Sequence, residues 1–149
     1  MTSDTITVER TIKAPAADIF ALLSDAAKHA EFDGSGTVRG TKQPSRPLSL
    51  GTKFGMSMHM GVGYTTSNEV VEFEQDRRIA WRTTGAKGLV GGRIWRYELE
   101  PVADGTLVKE TWDVSKDKQK FFLKRSKMAP KAKSGMRKTL ERLAETLES

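Results

Sequence analysis

The chain has 149 residues, 37% of them hydrophobic and 30% charged, which is enough for one domain with a proper core. No stretch approaches the ~20 continuous apolar residues of a membrane span, and the opening Met1-Thr-Ser-Asp4 lacks the basic and apolar leader of a signal peptide, so a cytoplasmic protein is expected. There is no cysteine, which excludes disulfides, thiolate catalysis and thiolate metal sites.

The net charge is +6 and unevenly spread. Between Lys116 and Lys138 ten Lys or Arg face one acid, Asp117, so this window holds about +9 and the remainder about −3. Such a run is either a solvated face or a contact for something anionic.

In chain order, Ile6, Val8, Arg10 and Ile12 alternate with polar residues and predict a half-buried strand. Ala14-Pro15 stops it, and Pro15 opens a helix carrying Ile19, Phe20, Leu22 and Leu23. Asp18 favours its early turns. Ser24 or Asp25 caps a second short helix through about Glu31, and Asp33-Gly-Ser-Gly36 ends the pair. A short strand is expected over Thr37 to Lys42, then a loop, Gln43 to Pro47, because two prolines oppose a central strand.

From Gly51 the pattern becomes β. Phe54, Met56, Met58 and Met60 share one strand face, Gly61-Val-Gly63 turns the chain, and Tyr64 to Glu74 returns. Gln75 to Arg78 is a turn before the strand Ile79 to Thr83. Gly85 to Gly92 reads as a mobile hairpin loop able to gate a pocket. Arg93 to Glu100 alternates, Asp104-Gly105 is a hairpin signal, and Leu107 to Val114 is the last strand. Lys116 to Lys127 connects to the final helix and is expected to form a short helix docked by Phe121, Phe122 and Leu123.

That final helix, Ala129 to Leu147, repeats Ala129, Ala132, Met136, Leu140, Leu143 and Leu147 at spacings of three and four. Such a stripe needs a sheet to lie across. Lys131 and Lys133 near its start, with Glu145 and Glu148 near its end, oppose the helix dipole; solvation or an anionic partner is the expected compensation. No repeat or second domain is visible.

The run Ile12 to Asp25 resembles the signature I-x-A-P-x-x-x-V-[FW]-x-x-[IL]-x-D of the START-like superfamily, SRPBCC, which includes polyketide cyclase/dehydrase and lipid-transport proteins. Gly51, Trp81, Tyr97-Glu-Leu-Glu-Pro101, Gly105-Thr106 and the final helix continue the likeness over nearly the whole chain. It implies a single α+β domain, residues 1–149, with the helix-grip fold: two short helices after the first strand, then a curved antiparallel sheet of about seven strands wrapped around the long C-terminal helix, with a cavity between. The ligand it implies is small and hydrophobic or amphipathic, lipid-like or polyketide-like. Other members imply two alternatives, a cofactor-free cyclase or dehydratase, and a growth-inhibiting toxin of a toxin–antitoxin pair, including ribosome-associated ones, with a protein partner.

The expected cavity residues are Phe54, Met56, Met58, Met60, Trp81, Trp95, Tyr97, Glu110, Trp112, Met136 and Leu140. Methionine and aromatic side chains suit an apolar site that adapts to several shapes; the alternative is that they only pack against the helix. Glu110 breaks the apolar pattern of Val108, Trp112 and Val114. Facing inward, it would be held neutral unless paired, and Arg10 is the expected partner. Glu110, Tyr64 and Tyr97 are the acid–base candidates for a cyclase. No serine lies in a G-x-S-x-G elbow. His29 and His59 are expected to be exposed and lack metal-ligand spacing, so no metal or cofactor is expected. Lys118, Lys120, Lys124, Arg125, Lys127 and Lys131 form a basic surface. With Phe121 and Phe122 it is suited to an anionic membrane surface or RNA.

Overall fold

Seven strands pair into one antiparallel sheet in the computed structural model, which describes residues 4–34, 38–40, 47–60, 62–85 and 89–148. Along the chain come β1 (Thr5–Ile12), α1 (Ala16–Leu23), a 3₁₀ turn (Ala26–Lys28), α2 (His29–Phe32), β2 (Val38–Gly40), β3 (Lys53–Met60), β4 (Val62–Glu74), β5 (Arg78–Gly85), β6 (Val90–Val102), β7 (Gly105–Asp113), α3 (Lys120–Arg125) and α4 (Met128–Glu148). The spatial order is β1-β7-β6-β5-β4-β3-β2. From β2 to β7 the chain is a plain meander, and β1 closes one edge beside β7. This is the α+β helix-grip arrangement. Most of the Thr37 to Lys42 and Gln43 to Pro47 expectations, and Gly61 of the turn before β4, lie outside the described residues.

The short helices are shaped by local hydrogen bonds. Pro15 is the N-cap of α1, in extended conformation, and Ile19, Phe20 and Leu23 turn inward. The helix stops where the Ser24 hydroxyl donates to the Phe20 carbonyl at 2.7 Å. Asp25 then caps the 3₁₀ turn by accepting from the Ala27 N–H at 3.1 Å.

Register shifts bend the sheet; one lies between Val38 and Gly40 at the β2 edge, and two lie further in. The β4–β5 register shifts between Val70 and Glu72, and the β5–β6 register shifts between Thr83 and Thr84. An extra residue in one strand increases its bend and twist. Opposite the β5–β6 shift, Gly91 has φ 95°, which disfavours an L side chain. Of the expected mobile loop from Gly85 to Gly92, Gly85 and Val90 to Gly92 stand in strands, and 86–88 lie outside the described residues. Gly85 and Val90 already pair across the two strands. Gly91 donates to Gln119 Oε1 at 2.8 Å and accepts from the Lys118 N–H at 2.9 Å. These bonds tie the base of the hairpin to the segment entering α3.

α4 runs beside β1 and also meets α1, α2, α3 and β7. Met136, Leu140, Leu143 and Ala144 are buried, and Ala129, Ala132 and Leu147 pack against them, as the spacing predicts. Three contacts hold the helix, two along its second half and one at its C-terminus. Gly34 donates to Thr139 Oγ1 at 2.8 Å, and Arg142 donates to the Asp33 carbonyl. At the far end Glu148 accepts from the Lys13 N–H at 2.8 Å. The acid that opposes the helix dipole thus ties the helix to the end of β1.

α3 departs from expectation. Only Leu123 is buried, while Phe121 and Phe122 are each 67% exposed. Successive helix residues point about 100° apart, so three in a row cannot all face the core. Lys120 and Lys124 are also not a free basic surface. Both reach Asp4, with Lys124 Nζ at 2.7 Å and Lys120 Nζ at 3.8 Å from its carboxylate. Arg125, Lys127 and Lys131 are exposed.

Candidate functional site

The register of the sheet aligns its aromatic side chains. Trp81, Trp95 and Trp112 lie opposite one another on β5, β6 and β7, with Ile6 of β1 completing the row. Two residues along, Ile79, Tyr97, Glu110 and Val8 form a second row. Neighbouring side chains on one sheet face touch across strands, so both rows build a continuous concave wall.

Between that wall and α4 lies a cavity of about 890 Å³. The sheet contributes Phe54, Met56 and Met58 from β3, Asn68 from β4, Trp81 and Thr83 from β5, Trp95 and Tyr97 from β6, and Glu110 and Trp112 from β7. The helices contribute His29, Phe32, Met128, Ala132, Met136 and Thr139. Exposed Tyr64, Thr65, Val90, Lys131 and Ser134 place the opening.

Of the expected residues, Phe54, Met56, Met58, Trp81, Trp95, Tyr97, Glu110, Trp112 and Met136 line this space. Leu140 does not; it is buried in the packed core. The α4 residues on the cavity run only from Met128 to Thr139, so the helix stands off the sheet over that half and closes onto the core beyond it. The Met60 side chain lies outside the described ones. Lys131 belongs to the opening rather than to a separate basic surface. Tyr64 is at the rim and 40% exposed, apart in character from buried Tyr97 and Glu110.

Glu110 is 3% exposed. Its neighbour is Tyr97, directly opposite on β6, whose phenol acts on the carboxyl group. Oε1 has no hydrogen-bond partner among the described residues. Arg10 is not the partner: β1 is an edge strand, and Arg10 reaches solvent there. Burial pushes the Glu110 carboxyl well above the usual carboxylate range, against a smaller downward pull from the Tyr97 hydrogen bond. Burial, and then the charge of Glu110, push the Tyr97 phenol up. A buried carboxyl with no cation beside it favours its neutral form.

His29 overturns its expected exposure. It is buried, stacked on Trp81 at 4.8 Å and 22°, and edge-on to Phe32 and Phe54 at 5.5 and 5.7 Å. Its Nε2 is 2.9 Å from the Leu23 carbonyl. A carbonyl only accepts, so Nε2 carries the proton. Burial pulls the imidazole below its ordinary value, partly opposed by that hydrogen bond. The four-residue α2 is too short for a periodicity signal, which is why sequence reading missed the side it faces.

Asn68 was also missed. Its side-chain N–H groups donate to the Phe54 carbonyl and Thr66 Oγ1, both at 3.3 Å, and its Oδ1 accepts from Thr83 at 2.7 Å. The alternation Tyr64, Thr66, Asn68, Val70 on β4 was the available signal. Asn68 satisfies its polar atoms within the protein, and Glu110 does not. At the hairpin base Arg93 pairs with buried Asp117 at 3.2 Å. Among the described residues no group of three His, Cys, Asp or Glu is arranged to hold a metal, and no helix is long and apolar enough to cross a membrane.

The family model for polyketide cyclase / dehydrase and lipid transport matches residues 3–148. The chain belongs to this family, within the START-like SRPBCC superfamily. It is 35% identical over 104 residues to the uncharacterized protein Rv0088 of Mycobacterium tuberculosis, a match covering 68% of this chain and 44% of that protein. The chain thus spans less than half of that relative. Protein NE0264 of Nitrosomonas europaea has a similar structure, with TM-score 0.77 at 14% identity, covering 99% of this chain and 97% of that one. So does the Polyketide_cyc-like protein Cgl2372 of Corynebacterium glutamicum, with TM-score 0.62 at 24% identity, covering 98% and 92%. At these identities the two structures share the fold with this chain.

Proposed function

We propose that the protein binds a small hydrophobic or amphipathic molecule between sheet and α4, and acts as a carrier without covalent catalysis. The observation that carries this reading is the cavity of about 890 Å³ walled by methionine and aromatic side chains. Its size and lining fall within the usual range of ligand sites. The flexible thioethers of Met56, Met58 and Met136 adjust to different apolar shapes. Displacement of a solvatochromic fatty-acid probe tests the reading. Met58→Gln, which places an amide in the wall, weakens probe binding several-fold while the circular dichroism spectrum is unchanged. Equal affinity in both proteins would contradict it.

A second reading is a cofactor-free cyclase or dehydratase, favoured by the buried Glu110 opposite Tyr97, whose carboxyl burial pushes well above the usual carboxylate range. A carboxyl kept protonated by burial is able to donate a proton to a substrate oxygen. Loss of poly-β-ketone turnover in Glu110→Gln, with substrate still bound, selects this reading over the carrier. Unchanged turnover removes Glu110 from it.

We also propose that exposed Phe121 and Phe122, flanked by Arg125 and Lys127, dip into an anionic phospholipid surface. Sedimentation with phosphatidylserine vesicles is expected for the native protein and not for the Phe121→Ser/Phe122→Ser variant. Retention on RNA with no vesicle binding would redirect the proposal.

A further inference from the structure

Tyr97 and Glu110 have a hydrogen too many. Both groups are buried and lie directly opposite each other on β6 and β7, and Glu110 Oε1 has no hydrogen-bond partner among the described residues. A phenol and a neutral carboxyl facing each other use at most one O–H hydrogen between them as donor. If Tyr97 donates to the carboxyl, the carboxyl O–H is left over. If the carboxyl donates to Tyr97, the phenol O–H is left over. In either direction one donor remains, on a cavity wall it shares with Trp81, Trp95, Trp112 and Met136. The other buried polar groups on the cavity are different: Asn68 is satisfied by Phe54, Thr66 and Thr83, and His29 gives its N–H to Leu23. A buried donor without an acceptor is costly.

Building on the carrier reading, we infer that the ligand presents an uncharged hydrogen-bond acceptor, a carbonyl oxygen, to the surplus hydroxyl of the Tyr97–Glu110 pair. A cationic ligand would draw the proton off Glu110 and pair with the carboxylate. An anionic head would have to shed its hydration deep in an apolar site. The cations that could have met it are placed elsewhere: Arg93 is paired with Asp117, and Lys131 stands at the opening. The negative charge of Asp33 also acts on Glu110 in the direction that keeps it protonated.

Three probes of equal chain length decide the matter: a long-chain methyl ketone, the matching alkane and the matching primary amine. Trp81, Trp95 and Trp112 line the cavity, so tryptophan emission reports occupancy directly. The ketone is expected to bind about tenfold more tightly than the alkane, the scale of one buried neutral hydrogen bond. Glu110→Gln keeps a donor N–H and is expected to keep most of that preference. The double variant Glu110→Leu/Tyr97→Phe removes both hydroxyls and is expected to bind ketone and alkane equally. Equal binding of ketone and alkane to the native protein overturns the inference and leaves the carrier reading intact. Tightest binding by the amine overturns it in favour of an ionised Glu110. Failure of all three probes to bind overturns the carrier reading and the inference together. The comparison on the native protein decides even if the double variant does not fold.

Discussion

Glu110 and His29 give the domain opposite pH sensitivities, because each is buried in its uncharged form. For Glu110 the folded-state pKa is raised. Above the ordinary carboxylate range the unfolded chain gives up this proton and the native state keeps it, so stability falls as pH rises, until the folded-state value is passed. The slope from one such group is about 1.4 kcal/mol per pH unit. For His29 the folded-state pKa is lowered. Below the ordinary imidazole value the unfolded chain gains a proton that the native state refuses, so stability falls as pH drops. Glu110→Gln is therefore expected to be indistinguishable from the native protein near pH 4 and more resistant to urea at pH 7 and above. Parallel urea midpoints for the two proteins across that range would show that Glu110 is ionised in the fold. The inward face of Glu110 was legible because its strand alternates without interruption. Its partner was not, because register across strands decides that Tyr97, rather than Arg10, lies beside it.

α4 depends on one close approach. A Cβ on Gly34 would sit 2.5 Å from the Gly135 carbonyl oxygen and 2.6 Å from the Thr139 amide nitrogen. Backbone cannot give way there as a flexible side chain would. Gly34→Ala is expected to cost about 1–3 kcal/mol, the range for forced overpacking, and to widen the cavity by pushing α4 outward. A lower melting temperature with changed probe affinity is the expected result; an unchanged melting temperature would show that the loop yields freely. Leu140→Ala acts below the cavity and is expected to cost about 2–5 kcal/mol as a core truncation, with probe affinity retained in the folded fraction. The stripe of α4 was legible from its spacing alone. Which half of it faces empty space was not, since the tilt of a helix over a sheet is a tertiary property. The same holds for Phe121 and Phe122, where apolarity suggested docking and helix geometry leaves only Leu123 inside.

At the scale of the molecule, meander, edge strand and grip helix were all present in the order of hydrophobic periods. Turn signals such as Asp104-Gly105 separated them, and the run Ile12 to Asp25 pointed to the superfamily. The curvature that opens the cavity was not visible, because it comes from register shifts in β4–β5 and β5–β6 that leave no periodic trace. His29 escaped for a related reason, since its place against Trp81 is set by where the short helices fold back over the sheet. The cavity between sheet and α4 is expected to hold an apolar molecule. Native mass spectrometry of the purified protein, followed by organic extraction, tests it most directly. A reproducible apolar adduct, lost in Met58→Gln with the fold intact, is the expected result. A mass equal to that of the bare chain, together with no uptake of ketone, alkane or fatty-acid probes, would contradict it.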